Sequence, residues 1–177
     1  MIGKRRLRFR GTVTSRGEAS PHLQAAGDAV LVERGRPRLL LVACPCGCGE
    51  EFPINLDPRA GPAWRLYRTT RAGISVFPSV WRESGCRSHY IIWRDTIWLF
   101  GRNEEELDPV EEAELGALSE SVLGRLSVSR LTPFAEVAES LGAVPWDVLT
   151  ACRRLVSNGR AREGIGKERG SFARISR

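Results

Sequence analysis

The amino-acid sequence predicts an α+β protein, in which a small β-rich domain precedes a helical domain that ends in a short hairpin. Up to residue 102, short β-branched and aromatic runs alternate with proline and glycine, and no helical stretch exceeds two turns. Helix-start signals and helical apolar periodicity follow from about residue 104. With 177 residues, 42% of them hydrophobic, the chain can bury an ordinary core in one medium domain or two small ones.

The first domain is predicted to span residues 1–103 and to consist of strands. Strand-like runs are "RLRFRGTV", "AVLVER" and "RLLLVAC", and the last two are separated by a turn at "RGRP". The segment "HYIIWRDTIWLF" predicts two aromatic strands that fold back at Arg94 and Asp95. We therefore expect a β-dominated domain with an aromatic hairpin at its end.

The second domain is predicted over 109–177, after an acidic linker at 104–108. Asp108 as a capping residue, Pro109 at the first helical position and a run of glutamates predict a helix over 109–125. The next two helices are predicted from "TPFAEVAESLG", with Thr132 as cap, Pro133 at its first position and Gly142 as stop, and from "PWDVLTACRRLVSNG", which ends at Asn158 and Gly159.

Helix, helix, turn, helix and a basic hairpin is the element order of winged helix-turn-helix domains, which residues 108–176 resemble. The resemblance implies that the third helix and the hairpin bind nucleic acid or a protein partner, through Arg153, Arg154, Lys167 and Arg169. An exposed Asp147 would oppose contact with phosphates. Cys152 lies on the apolar stripe of the third helix, where we expect it to pack as a small hydrophobic residue.

Charge is distributed unevenly along the chain. Residues 1–103 carry 17 basic and 8 acidic side chains, 104–147 carry 2 and 11, and 148–177 carry 8 and 2, for an overall charge of +6. Such blocks are either solvated faces or surfaces that attract an acidic partner, which could be nucleic acid or protein. The N-terminus lacks the apolar core of a signal peptide and no apolar run is long enough to span a bilayer, so we expect a cytoplasmic protein.

Three cysteines alternate with proline and glycine in "ACPCGCGEEF". Cys44, Cys46 and Cys48 therefore form a tight knuckle rather than part of a core strand, and five cysteines in a reducing compartment argue against a disulfide scaffold. Such knuckles bind zinc. The remaining donors are expected from "GCRSHY", where Cys86 and His89 are separated by two residues.

Five candidates for four coordination positions leave two alternatives open. Four protein ligands would make the zinc structural, whereas three ligands and a water would make it catalytic. In the catalytic case Glu50 or Glu51, which follow the knuckle directly, would relay the proton. Neighbouring Ser88 and His89 would face opposite sides of a strand, which argues against a nucleophile–base pair formed by these two.

The first hundred residues resemble an uncharacterised bacterial domain family. Its members share a C-x-C-G-C-G knuckle, a tryptophan segment, a "SIGNW"-like stretch and a C-x-S-H-[FY] motif. The corresponding segments here are "CPCGCG" at 44–49, "PAWRL" at 62–66, "VFPSVW" at 76–81 and "CRSHYII" at 86–92. The family's tryptophan after S-H-[FY] is replaced by Ile91, and the glycine of "SIGNW" is missing.

That family is often encoded beside bacterial ubiquitin-like proteins and their conjugating enzymes, in operons linked to phage defence. The resemblance implies a zinc-dependent (iso)peptidase that processes or removes the ubiquitin-like protein, with the knuckle, Cys86 and His89 as ligands and Glu51 or Glu50 as base. Its partners would be the ubiquitin-like protein or its conjugates and possibly the cognate conjugating enzymes. The alternative is a non-catalytic protein with structural zinc that binds nucleic acid or a protein through its winged helix.

Overall fold

The structure, a computed structural model, describes residues 3–69, 73–100 and 112–176. Within these ranges the protein is a mixed α+β fold with mostly strands and few helices, as the sequence predicts. The chain divides into two compact units, Met1–Glu105 and Glu106–Arg177. None of the helices in the described ranges has both the length and the apolar character that crossing a membrane requires.

The described part of the first unit contains nine strands and one short α-helix. In chain order they are β1 (Lys4–Arg6), β2 (Arg8–Val13), α1 (Arg16–Ala19), β3 (Asp28–Glu33), β4 (Pro37–Ala43), β5 (Glu51–Asn55), β6 (Arg65–Thr69), β7 (Gly73–Trp81), β8 (His89–Trp93) and β9 (Thr96–Phe100). An antiparallel sheet has the order β1–β9–β8–β7–β6. The second sheet has the order β2–β3–β4–β5, in which β2 and β3 are parallel.

The core of this unit lies between the two sheets. Leu40 and Val42 of β4 cluster with Val80 of β7 and with Tyr90 and Ile92 of β8, and all five are fully buried. Side chains two residues apart on a strand point to the same face. The opposite faces of β7 and β8 therefore carry the intervening residues, among them Trp81 and His89.

The predicted aromatic hairpin is confirmed. β8 pairs with β9 in antiparallel register, from His89 opposite Phe100 to Trp93 opposite Thr96. The chain reverses at Arg94 and Asp95, whose φ angles are 51° and 56°. Two consecutive positive φ values are the geometry that the twist of a two-residue hairpin favours.

A buried carboxylate fixes the start of the second sheet. Asp28 begins β3, its side chain is fully buried, and it accepts hydrogen bonds from Arg8 at 2.7 Å and Arg10 at 3.0 Å. The backbone N–H groups of Gln24 and Ala25 donate to its other oxygen at 3.1 and 2.9 Å. Burial raises the pKa of Asp28, but the hydrogen bonds from Arg8, Ala25 and Arg10 outweigh burial and hold the pKa below its usual value.

The described part of the second unit contains three helices and a small sheet. In chain order they are α2 (Glu112–Arg125), β10 (Thr132–Pro133), α3 (Phe134–Leu141), α4 (Pro145–Ser157), β11 (Ala161–Glu163) and β12 (Ser171–Arg174). The strands pair antiparallel in the order β10–β12–β11. The predicted linker at 104–108 and the predicted helix start at Asp108 lie outside the described residues, and the boundaries 1–103 and 109–177 stay predictions.

Two helix predictions in this unit have different outcomes. Gly142 ends α3 in the left-handed conformation, with φ of 59°, as expected of a helix stop. The expected cap at Thr132 is wrong, because Thr132 pairs with Phe172 in the small sheet and α3 begins at Phe134.

Cys152 is fully buried on α4, as predicted for a packing residue. The winged helix assignment itself stays a prediction.

Candidate metal centre and its surroundings

The cysteine knuckle is the turn of a β-hairpin. β4 and β5 pair up to Ala43 opposite Glu51, so residues 44–50 form the connection. Cys44 N–H donates to the Glu50 carbonyl at 2.8 Å and closes the loop. Gly47 and Gly49 have φ angles of 88° and 83°, a region that side chains rarely adopt. The glycines in the motif are therefore needed for the turn that points three sulfurs to one side.

The fourth sulfur comes from the turn between β7 and β8. Arg82 N–H donates to the Ser88 carbonyl at 3.0 Å, which closes this loop around Cys86. The loop belongs to the first sheet, whereas the knuckle belongs to the second. The two sheets thus meet at one end through their cysteine loops.

The Sγ atoms of Cys44, Cys46, Cys48 and Cys86 all lie within 4.8 Å of one another. Cys44 Sγ is 3.3 Å from Cys46 Sγ and 3.6 Å from Cys86 Sγ. A tetrahedral zinc ion with Zn–S bonds of about 2.3 Å separates its sulfur ligands by about 3.8 Å. The spacing and the all-sulfur donor set therefore fit a zinc ion.

The thiols of the cluster differ in acidity because they share one small volume. Burial raises the pKa of Cys86, yet hydrogen bonds to Ser88 and to neighbouring sulfurs outweigh it and lower the pKa to about 6. Burial and the hydrogen bond to Cys44 raise the pKa of Cys46 to about 12. Neighbouring thiols thus compete for negative charge.

His89, the fifth candidate ligand, is not part of this cluster. It is the first residue of β8, and its ring stacks on Trp81, with centroids 5.1 Å apart and planes inclined by 23°. On the other side its ring lies 5.1 Å from that of Phe100. The structure therefore brings together four of the five predicted donors and places the imidazole in an aromatic cluster.

The two glutamates after the knuckle have separate surroundings. Glu50 pairs with Arg82 at 2.7 Å and lies 3.6 Å from Cys48 Sγ. Glu51 accepts a hydrogen bond from the Ser20 hydroxyl at 2.9 Å, at the end of α1. Of the two carboxylates, Glu50 is the one that contacts a cysteine of the cluster.

Arg82 is a residue of this site that sequence reasoning missed. Its side chain is only 10% exposed, and Nη1 lies 3.3 Å from Cys86 Sγ and 3.7 Å from Cys48 Sγ. Its guanidinium also lies over the Phe52 ring at 5.4 Å. A cation beside thiolates offsets part of their negative charge. The position of an arginine four residues before Cys86 was the only sequence feature that pointed to this contact. Whether the guanidinium reaches the sulfur depends on the conformation of the loop.

The candidate binding residues of the second unit occupy α4 and the hairpin. Arg153 is exposed and Arg154 half-buried on α4, while Lys167 and Arg169 are exposed between β11 and β12. Asp147, expected to face solvent and oppose phosphate contact, is instead buried at the first turn of α4. Asp147 is therefore not an exposed charge that would oppose nucleic-acid binding.

Residues 16–99 match the model of a family described as a bacterial ubiquitination-like system serine protease, BubE. The match spans slightly less than half of the chain and includes both cysteine loops. The description agrees with the expected protease activity and the ubiquitin-like pathway. It names the serine class, whereas the resemblance of the first hundred residues implied a zinc-dependent peptidase. No curated protein matches the chain, and no solved structure matches it either.

Proposed function

We propose that the first unit is a protease that processes a bacterial ubiquitin-like protein or releases it from conjugates. The observation that carries this proposal is the match of residues 16–99 to a family described as a protease of a ubiquitination-like system. The basic character of residues 1–103, 17 basic against 8 acidic side chains, supports an acidic protein partner.

We further propose that Cys44, Cys46, Cys48 and Cys86 bind one zinc ion with a structural role. Four sulfurs complete a tetrahedral shell and leave no position for the water that a catalytic zinc activates. Zinc in this place would hold the knuckle of one sheet to the loop of the other. The residues that fit the ion thus favour a support for the fold over a reaction centre.

A shell of four sulfurs favours serine chemistry over a zinc-bound nucleophile. A proton relay by Glu50 or Glu51, as predicted from the sequence, would need a water on the metal. Glu50 is engaged by Arg82 and Glu51 by Ser20, which supports structural roles for both carboxylates. The relay stays a prediction, and variants of the two residues test it.

The decisive experiment uses a bacterial ubiquitin-like protein with a C-terminal extension beyond its last glycine. The protein should cleave the extension, and a serine-directed fluorophosphonate should stop the reaction. Glu50→Gln and Glu51→Gln should each change the rate by no more than a few-fold, whereas loss of a proton relay costs about 100-fold or more. Absence of both cleavage and fluorophosphonate labelling would overturn the proposal.

For the second unit we propose a winged helix that binds a partner through α4 and the basic hairpin. The hairpin exposes Lys167 and Arg169, and Ile165 beside them is 88% exposed. Nucleic acid and an acidic protein surface are the two partners to separate. Binding to duplex DNA that weakens steeply with salt, and that is lost in Lys167→Glu/Arg169→Glu, would identify nucleic acid. Equal retention of DNA by that variant would exclude it.

A further inference from the structure

One histidine and one serine of the matched segment share a face of the first sheet. Val80 of β7 is fully buried in the core, and it is flanked by Ser79, half-buried, and Trp81, 66% exposed. Because side chains alternate along a strand, Ser79 and Trp81 point away from the core on the same face.

The pairing of β7 with β8 places His89 on that face as well. Trp81 lies directly opposite His89 in the antiparallel register, and the two rings are stacked. Ser79 is two residues from Trp81 and hence the diagonal neighbour of His89. Diagonal neighbours across an antiparallel pair are about 7–8 Å apart at Cα, a gap that a hydroxyl and an imidazole can bridge.

The register between β7 and β8 shifts between Val76 and Val80, an interval that contains Ser79. Such irregularities re-aim side chains and are frequent beside active sites. The imidazole is held on both sides, by Trp81 and by Phe100, each with ring centroids 5.1 Å from it. Ser79 therefore sits at an irregular position beside an oriented histidine.

Three other serines of the matched segment, Ser20, Ser75 and Ser88, are engaged elsewhere. The Ser88 hydroxyl lies 3.3 Å from Cys86 Sγ and 3.5 Å from Cys44 Sγ, on the side of the metal centre. Ser75 is buried and accepts the N–H of Arg94 at 3.0 Å. Ser20 donates to a carboxylate, as described above.

We propose that Ser79 is the nucleophile and His89 the general base of the protease. The assignment rests on the proposed function and deepens it, because it names the reacting groups. Ser79 Oγ would attack the carbonyl carbon of the scissile bond while its proton passes to the imidazole of His89. The C–N bond then breaks, and the imidazolium gives that proton to the leaving amine, which leaves an acyl ester on Ser79.

Water completes the cycle. His89 takes one proton from the water as the hydroxyl oxygen attacks the ester carbonyl. The ester C–O bond breaks, the peptide leaves with a free carboxylate, and the proton returns to Ser79 Oγ. Protons and electron pairs balance without a metal-bound water. This scheme also explains why an imidazole predicted as a ligand stands apart from the four sulfurs.

Mass mapping of the fluorophosphonate adduct tests the assignment on the full-length protein. Trypsin separates the serines, because Ser75 and Ser79 fall in residues 72–82, Ser84 in 83–87 and Ser88 in 88–94. Fragment ions distinguish Ser75 from Ser79. We expect the adduct on Ser79. An adduct on any other serine would overturn the assignment and leave the serine protease intact, whereas no adduct and no cleavage would overturn the proposed function itself.

Variants supply the second measurement. Ser79→Ala should lower cleavage at least about 1000-fold, and His89→Gln should slow both cleavage and labelling at least about 100-fold. Ser84→Ala, an exposed serine on the same loop as Cys86, should match the wild type. Both active-site variants should keep the wild-type zinc content, and Ser79→Ala should also keep the wild-type melting temperature. Unchanged cleavage in Ser79→Ala, or loss of zinc in His89→Gln, would contradict the assigned roles.

Discussion

Cys44 and Cys86 are 42 positions apart in the chain, yet their Sγ atoms lie 3.6 Å apart. The contact joins the end of β4 in one sheet to the loop before β8 in the other. A metal bound here therefore links the two sheets.

Cys44→Ser should abolish zinc binding and unfold the first unit at a much lower temperature. Loss of a structural zinc costs several kcal/mol, which corresponds to a fall in Tm of about 15 °C or more for a unit of this size. Elemental analysis and calorimetry measure both effects. Cys152→Ser is the matched control, because Cys152 is buried on α4 of the other unit. The Cys152→Ser protein should keep one zinc per chain. Wild-type protein without metal would contradict the proposal.

Arg82→Met should weaken zinc binding about 10- to 100-fold while leaving the fold intact. The guanidinium lies 3.3 Å from Cys86 Sγ and offsets thiolate charge, as outer-shell partners of metal ligands do. Competition with a chromophoric chelator measures the affinity. Arg87→Met, in the same loop with an exposed side chain, provides the comparison and should bind zinc as the wild type does. Equal affinities in the two variants would show that Arg82 has no such role.

Asp28→Asn should destabilise the first unit by about 2 kcal/mol or more at neutral pH, because it removes the charge that Arg8 and Arg10 pair with. The pKa of Asp28 in the folded protein lies below its value in the unfolded chain, near 3.8. The contribution of Asp28 to the free energy of unfolding is therefore fully present above pH 3.8 and is lost as pH falls through the folded pKa. Urea unfolding should show a difference in free energy of unfolding between wild type and variant at pH 7, and this difference should become smaller below pH 4. Glu83→Gln, at an exposed position, should show no gap at either pH.

Cys152 should resist alkylation in the folded protein. Burial raises the pKa of this thiol to about 12, so almost none of it is thiolate at pH 8, and its sulfur is inaccessible. Iodoacetamide followed by peptide mapping should modify Cys86, an exposed thiol whose pKa is lowered to about 6, after chelation, but Cys152 only in denaturant. Rapid modification of Cys152 under native conditions would show that α4 opens readily.

Local signals predicted much of the fold, because they act over a few residues. The turn at Arg94 and Asp95 and the glycine-rich knuckle are encoded in neighbouring positions. The parallel pairing of β2 with β3 and the return of β1 to β9 depend on contacts between distant segments, which no periodicity reveals. The sequence also offered His89 as a ligand, because C-x-x-H spacing suits a loop. β8 begins at His89, and strand alternation turns the ring toward Trp81 instead.

Three of the four sulfurs belong to one hairpin, so during translation the metal site stays incomplete until Cys86 has been synthesised. Contact between Cys44 and Cys86 closes a loop between residues 42 positions apart. The entropic cost of closing this loop grows only slowly with its length. Metal binding and docking of the two sheets would then occur in one step of folding. A chain deprived of metal would stop folding with its two sheets undocked.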